Sequence, residues 1–211
     1  MMLFAAGPLR WRRTPAQADT SAPERAKPPG RPAVFIDKDG TLVENLPGNV
    51  DPALLKLRPG AAEALVKLAE RGFALLVATN QSGLASGYYT RTEFAWLQAA
   101  LEKLLHEAAG VQLLDFLVCP HAPGPDGGPS CLCRKPAPGL LLRAARRHGI
   151  DLTRSWMVGD WLDDVEAGHR AGCRTVLLAG GEEHGARTPL RQPDVECQAW
   201  GDVPEHLLIP A

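Results

Sequence analysis

From residue 33 onward, short apolar runs alternate with segments whose apolar residues recur at three- and four-residue spacing, the pattern of a parallel sheet covered by helices. Ala33 to Ile36 reads as the first strand, Phe73 to Ala78 as the second and Phe116 to Val118 as the third, with Trp156 to Val158 and Thr175 to Leu178 as two more. Leu65, Leu68 and Ala69 place a helix over residues 60–71, between Pro59 and Gly72. The strongest helix signal follows Thr90. Thr90 and Glu93 have capping-box spacing, and Phe94, Leu97, Leu101, Leu104, Leu105 and Ala108 fall on one face before Gly110. Pro138 opens a helix that ends near Gly149, and another runs from near Leu162 to Gly172. Beyond Gly180 the pattern predicts no element. The expected fold is α/β: a Rossmann-like parallel sheet with helices on both faces and no large cap domain, binding its ligand outside the carboxyl ends of the strands.

Polar residues gather at four of those ends. The first strand runs into Asp37-Lys38-Asp39-Gly40-Thr41, two carboxylates that can share one cation or simply form an Asp-Gly turn. The second runs into Thr79-Asn80-Gln81-Ser82-Gly83, suited either to phosphate or to capping a helix. Arg134-Lys135-Pro136 offers two cations ahead of a helix, or a solvated basic pair. Gly159-Asp160, with Asp163 and Asp164, offers a metal-binding acid or a helix cap. Each has a bland explanation alone.

Between the third strand and Lys135 lies a Pro/Gly-rich loop, residues 119–133, bracketed by Cys119-Pro120-His121 and Cys131-Leu132-Cys133. Four such ligands suit tetrahedral zinc, and alternate residues of extended chain share a face, so two short pairs can converge; free thiols are the alternative. The zinc would be structural, steadying the segment that presents Arg134 and Lys135. Cys173 is expected to be a packed thiol and Cys197 a surface or edge thiol, while His106, His148, His169, His184 and His206 read as ordinary surface or helix residues.

Composition narrows the partners. The chain has 211 residues with a net charge of -1, but residues 1–31 carry six basic side chains against two acidic ones, leaving 17 basic against 22 acidic in residues 32–211. Residues 1–31 are expected to form a disordered basic tail ahead of one domain over 32–211. An acidic domain makes a poor nucleic-acid binder. No apolar run approaches the roughly 20 residues of a membrane helix. The expectations are a cytoplasmic monomer, with neither nucleic acid nor membrane as partner, acting on a small phosphorylated metabolite.

In this order, acid pair, Thr/Asn, Lys and acid cluster resemble the haloacid dehalogenase-like superfamily of phosphatases over residues 33 to 179. The resemblance implies that Asp37 is the nucleophile and Asp39 the acid and base. It further implies that Thr79, Asn80, Gln81, Ser82, Arg134 and Lys135 hold phosphate or substrate, and that Asp37, Asp39 (through its carbonyl) and Asp160 hold magnesium. Asp164, or else Asp163, would hold Lys135 or a metal-bound water. Cys119, His121, Cys131 and Cys133 are the expected zinc ligands. The cysteine loop and the stretch Arg134 to Gly139 resemble heptose 1,7-bisphosphate 7-phosphatases, with histidinol-phosphate phosphatases, another sugar-phosphate phosphatase and a catalytically silent module as alternatives. Two features depart from the heptose group: the loop Leu46 to Asp51, and Trp161 where relatives often place a lysine.

Overall fold

The computed structural model describes residues 30–46, 48–180 and 186–207. Strands β1 (Ala33–Ile36), β2 (Ala74–Asn80), β3 (Asp115–Cys119), β4 (Trp156–Gly159), β5 (Arg174–Leu178) and β6 (Val195–Cys197) form one parallel sheet in the order β3-β2-β1-β4-β5-β6. The helices are α1 (Ala61–Glu70), α2 (Gly83–Ser86), α3 (Arg91–Ala109), α4 (Gly139–His148), α5 (Leu162–Ala171) and α6 (Val203–His206).

Strand alternation sends side chains into two cores. Val34 and Ile36, with Leu75, Val77 and Val158, pack with Leu65 and Leu68 of α1 and Leu101 and Leu105 of α3. Ala33 and Phe35, with Leu76 and Met157, pack instead with Leu140, Leu141 and Ala144 of α4. Each fully buried Leu or Phe contributes about 1.5–3 kcal/mol. Because both faces are covered, β1 and β4 are buried at every position, and their sequences run apolar without alternation.

From β1 the chain builds outward to β2 and β3, then crosses to β4, β5 and β6 on the other side. β1 and β4 therefore lie side by side where the winding reverses, and their exit loops diverge around a crevice. Asp37 follows β1 and Asp160 follows β4, which puts both at that crevice. Among the described residues, the connections over 37–60 and 120–138 hold one short helical element, the 3-10 turn Pro52–Leu54, too little for the roughly 50 residues of a separate cap domain.

β2 outruns its predicted apolar stretch because pairing continues to Asn80↔Cys119, so Thr79 and Asn80 are strand residues. Neither β6 nor the four-residue helices α2 and α6 were predicted; all are shorter than the window periodicity needs. The capping box of α3 is as expected, with Thr90 Oγ1 accepting from the Glu93 N–H and Glu93 Oε2 accepting from the Thr90 N–H at 2.7 Å. Tyr89 stacks on Phe94 with ring centroids 6.1 Å apart, closing a hydrophobic staple around that cap.

Two expectations are met in part. Cys197 does lie on the edge strand, but it is buried rather than at the surface, and burial pushes its thiol up to about 11. His148 and His169 are helical yet not idle: their Nε2 atoms lie 2.7 Å from Asp115 Oδ2 and 3.0 Å from Asp194 Oδ2. The expected basic tail, apart from Gly30 and Arg31, lies outside the described residues, as does His184. Among the described residues no helix is long and apolar enough to cross a membrane.

Candidate active site

The Asp37 N–H donates to Val158 O at 2.9 Å, which ties the residue after β1 to β4. Its carboxylate Oδ1 accepts from Lys135 Nζ at 2.5 Å. The same Nζ lies 2.6 Å from Asp164 Oδ1 and donates to Ala78 O at 2.8 Å. Lys135 is only 3% exposed, so all three contacts are made away from water. Asn80 holds its backbone: Asn80 Nδ2 donates to Lys135 O and the Lys135 N–H to Asn80 Oδ1, both at 3.1 Å. In this arrangement Asn80 acts on the cation's placement.

Asp160 accepts from Thr41 Oγ1 at 2.7 Å, and the Thr41 carbonyl accepts from Trp200 Nε1 at 2.7 Å. Gly40 lies against the Asp160 carboxylate. Its φ of 81° is left-handed, and a Cβ there would meet Asp160 Oδ2 at 2.2 Å, so no side chain is tolerated. Arg58 braces the same turn, donating to Gly40 O at 2.5 Å and to Ala179 O at 3.1 Å.

The two acids of the first motif part company. Asp37 faces Lys135, whereas Asp39, about a third exposed, accepts from Lys38 Nζ at 2.5 Å and from Gln81 Nε2 at 2.8 Å. Asp37, Asp39, Thr79, Arg134, Lys135 and Trp161 line one cavity of about 250 Å³. Asp39, Gln81, Ser82 and Tyr89 line an adjoining cavity of about 560 Å³. Ser82 makes no capping hydrogen bond to α2, so the capping alternative is not realised. Of the two candidates for holding Lys135, Asp164 does so, while Asp163 pairs with Arg191.

Burial raises the Asp37 carboxyl to about 7, with Asp164 and Asp39 adding repulsion and Lys135 opposing it. Burial, helped by Asp37, raises Asp160 to about 6, and burial raises Asp164 too. Burial works against a charged Lys135, but Asp164 and Asp37 overcome it and raise its pKa. Oxygens of Asp37, Asp160 and Asp164 lie within 4.8 Å of one another, served by this one buried ammonium. Such a carboxylate excess fits a hard divalent cation such as magnesium. Asp164 turns its oxygens to Lys135 and the Trp161 N–H, so Asp37 and Asp160 are the acids of the cluster that would be available to such an ion.

The cysteine loop closes on itself. Cys119, Cys131 and Cys133 have Sγ–Sγ separations of 3.3 to 3.6 Å, and His121 Nδ1 lies 3.5 Å from Cys119 Sγ and 3.3 Å from Cys133 Sγ. A tetrahedral zinc with its usual bond lengths needs ligand separations of about 3.5–3.8 Å, so the set fits that ion. Burial opposes ionisation of Cys131, yet hydrogen bonds from Cys133 and the Arg134 N–H bring it down to about 7. That N–H donates to Cys131 Sγ at 3.2 Å, and the Arg134 guanidinium donates to His121 O at 3.2 Å. The residue before Lys135 is thus fastened to the loop twice.

Sequence reasoning missed Lys38, Arg58, Tyr89 and Trp200. The first stood inside a quoted motif, and Tyr89 directly precedes a recognised cap, the position where a staple residue is expected.

A family model, Hydrolase_like, described as HAD-hyrolase-like, matches residues 132–198. The chain is similar to the D-glycero-beta-D-manno-heptose-1,7-bisphosphate 7-phosphatase of Mesorhizobium japonicum, 40% identical over 161 residues, covering 75% of this chain and 74% of the relative. It is 42% identical over 163 residues to the protein of that name from Pseudomonas aeruginosa, covering 75% and 85%. Among solved structures, a HAD-like phosphatase from Mesorhizobium loti aligns with a TM-score of 0.71 at 36% identity, covering 84% of this chain and 86% of that one. The D,D-heptose 1,7-bisphosphate phosphatase of B. bronchiseptica, solved with magnesium and phosphate, aligns with a TM-score of 0.71 at 31% identity, covering 83% and 97%.

Proposed function

The chain belongs to the HAD-like phosphatases, enzymes that hydrolyse phosphate monoesters, and from that premise we propose that it removes the 7-phosphate of D-glycero-D-manno-heptose 1,7-bisphosphate. The observation that carries the mechanism is the convergence of Asp37, Asp39, Thr79 and Lys135 on one cavity at the β1/β4 crevice. Asp37 attacks phosphorus in line while Asp39 gives its proton to the departing sugar oxygen, leaving a phosphoaspartate. Asp39, now a carboxylate, takes a proton from water as that water attacks phosphorus, releasing inorganic phosphate and restoring both acids. Thr79 and Lys135 hold the phosphoryl oxygens throughout. Asp37, Asp160 and the Asp39 carbonyl would hold magnesium, which when bound neutralises charge between nucleophile and phosphate. Trp161, lining the cavity, offers a face on which a sugar can stack.

A substrate panel tests the assignment. The heptose bisphosphate is expected to exceed histidinol phosphate, phosphoserine and simple hexose phosphates in kcat/KM by tenfold or more; histidinol phosphate as the best substrate would overturn it.

Cys119, His121, Cys131 and Cys133 would hold zinc in a structural role, and cysteines without disulfides suit a reducing, cytoplasmic setting. Because Arg134 is fastened to this loop, stripping zinc with magnesium restored is expected to lower Tm by about 5 °C or more and to weaken phosphate inhibition. Metal analysis of the purified protein without zinc, or unchanged phosphate binding after stripping, would count against this.

A further inference from the structure

Asp39 is held at both oxygens, by Lys38 at Oδ1 and by Gln81 at Oδ2. An amide can face its partner with either end. With its oxygen toward Asp39, Gln81 would repel the carboxylate and would accept the proton of the acid form, diverting it from the leaving group. Tyr89 supports the orientation that turns the oxygen away from Asp39. Its hydroxyl donates to Gln81 Oε1 at 2.5 Å, while Gln81 Nε2 gives its hydrogens to Asp39 Oδ2 and to Thr79 Oγ1 at 2.9 Å. The amide oxygen is thus engaged elsewhere, and only N–H groups face the acid.

The phenol is itself fixed. Tyr89 is 7% exposed and stacks on Phe94, so the staple of α3 sets its ring. Across the ring lies Gly83, where a Cβ would come within 2.3 Å of Tyr89 Cε1, so the turn after β2 carries glycine because the tyrosine lies against it. Burial, with Asp39 second, raises the phenol to about 12, so it stays a donor at neutral pH.

We propose that Tyr89, acting through Gln81, is a positioning residue that keeps Asp39 aimed at the leaving-group oxygen. The proposal rests on the phosphatase mechanism above, in which Asp39 supplies that proton.

The test compares wild type, Asp39→Asn and Tyr89→Phe on substituted phenyl phosphates of similar size and graded leaving-group pKa, read as kcat/KM, which reports on formation of the phosphoenzyme. Poor leaving groups need the proton and good ones do not. Tyr89→Phe is expected to lose about tenfold on phenyl phosphate and less than about threefold on the most acidic nitrophenol, steepening the dependence in the direction of Asp39→Asn. Uniform losses, or none, overturn the proposal. Adding Tyr89→Phe to Gln81→Leu should cost little more than Gln81→Leu alone, and additive losses would equally overturn it. If Asp39→Asn itself leaves the slope unchanged, the acid assignment fails and the role of Tyr89 with it. A steeper slope for Asp39→Asn alone removes only Tyr89.

Discussion

An Asp37→Asn variant is expected to lose at least about 10³-fold in kcat, because the attacking carboxylate is removed, yet to gain stability once divalent cations are removed. The gain follows from the crowding of acids. Asp37 is raised from an ordinary 3.8 to about 7, first by burial and then by Asp164 and Asp39. Between those values the folded chain binds a proton that the unfolded chain does not, so metal-free stability falls as pH rises toward 7. Below about 4 both states are protonated and the penalty vanishes. Asparagine carries no charge, so the metal-free variant should exceed wild type by about 1–3 kcal/mol at pH 8, with the difference shrinking toward pH 5. Magnesium should restore wild type and do little for the variant. Denaturant midpoints with and without magnesium at the two pH values check this; a variant less stable than wild type at pH 8 without metal would contradict it.

The second large effect concerns Lys135. Replacing it by methionine leaves Asp37 and Asp164 buried without their cation, and uncompensated buried charge costs about 3–5 kcal/mol. Both acids should then titrate higher still, so the deficit should be greatest at pH 8 and shrink on acidification. Phosphate affinity should fall in parallel, since the cation proposed to face the phosphoryl oxygens is gone. Urea denaturation and inhibition by inorganic phosphate would measure the two losses. A Lys135→Met protein as stable as wild type at pH 8 would mean that the lysine does not compensate these acids.

The strands that carry the site were legible because they are covered on both faces and so run apolar without interruption: Val-Phe-Ile before Asp37 and Trp-Met-Val before Gly159 and Asp160 announce themselves. The cysteine loop was legible for a different reason, since paired ligands one residue apart are rare in chance sequence. What stayed hidden depends on contacts between distant segments. From its own residues Arg134-Lys135 read equally as a solvated basic pair; the resemblance set Lys135 at the phosphate, but its direct contact with Asp37, 98 residues back, comes only with the fold. Asp37 and Asp39 looked like one pair, but the turn after β1 sends them to different partners. β6 is three residues long with Glu196 exposed at its centre, which offers no periodicity to read. Trp200 binds the Thr41 carbonyl across 159 residues, so its role is visible only once the sheet is assembled.

Asp37 is expected to carry the phosphoryl group between the two half-reactions. Acid quenching of the enzyme during turnover, followed by borohydride reduction and peptide mass analysis, reads this directly, since borohydride converts an acyl phosphate to the alcohol. Homoserine at position 37, dependent on both substrate and magnesium, is the expected result; product formation with no reduced residue there, or with the mark on another acid, would contradict it.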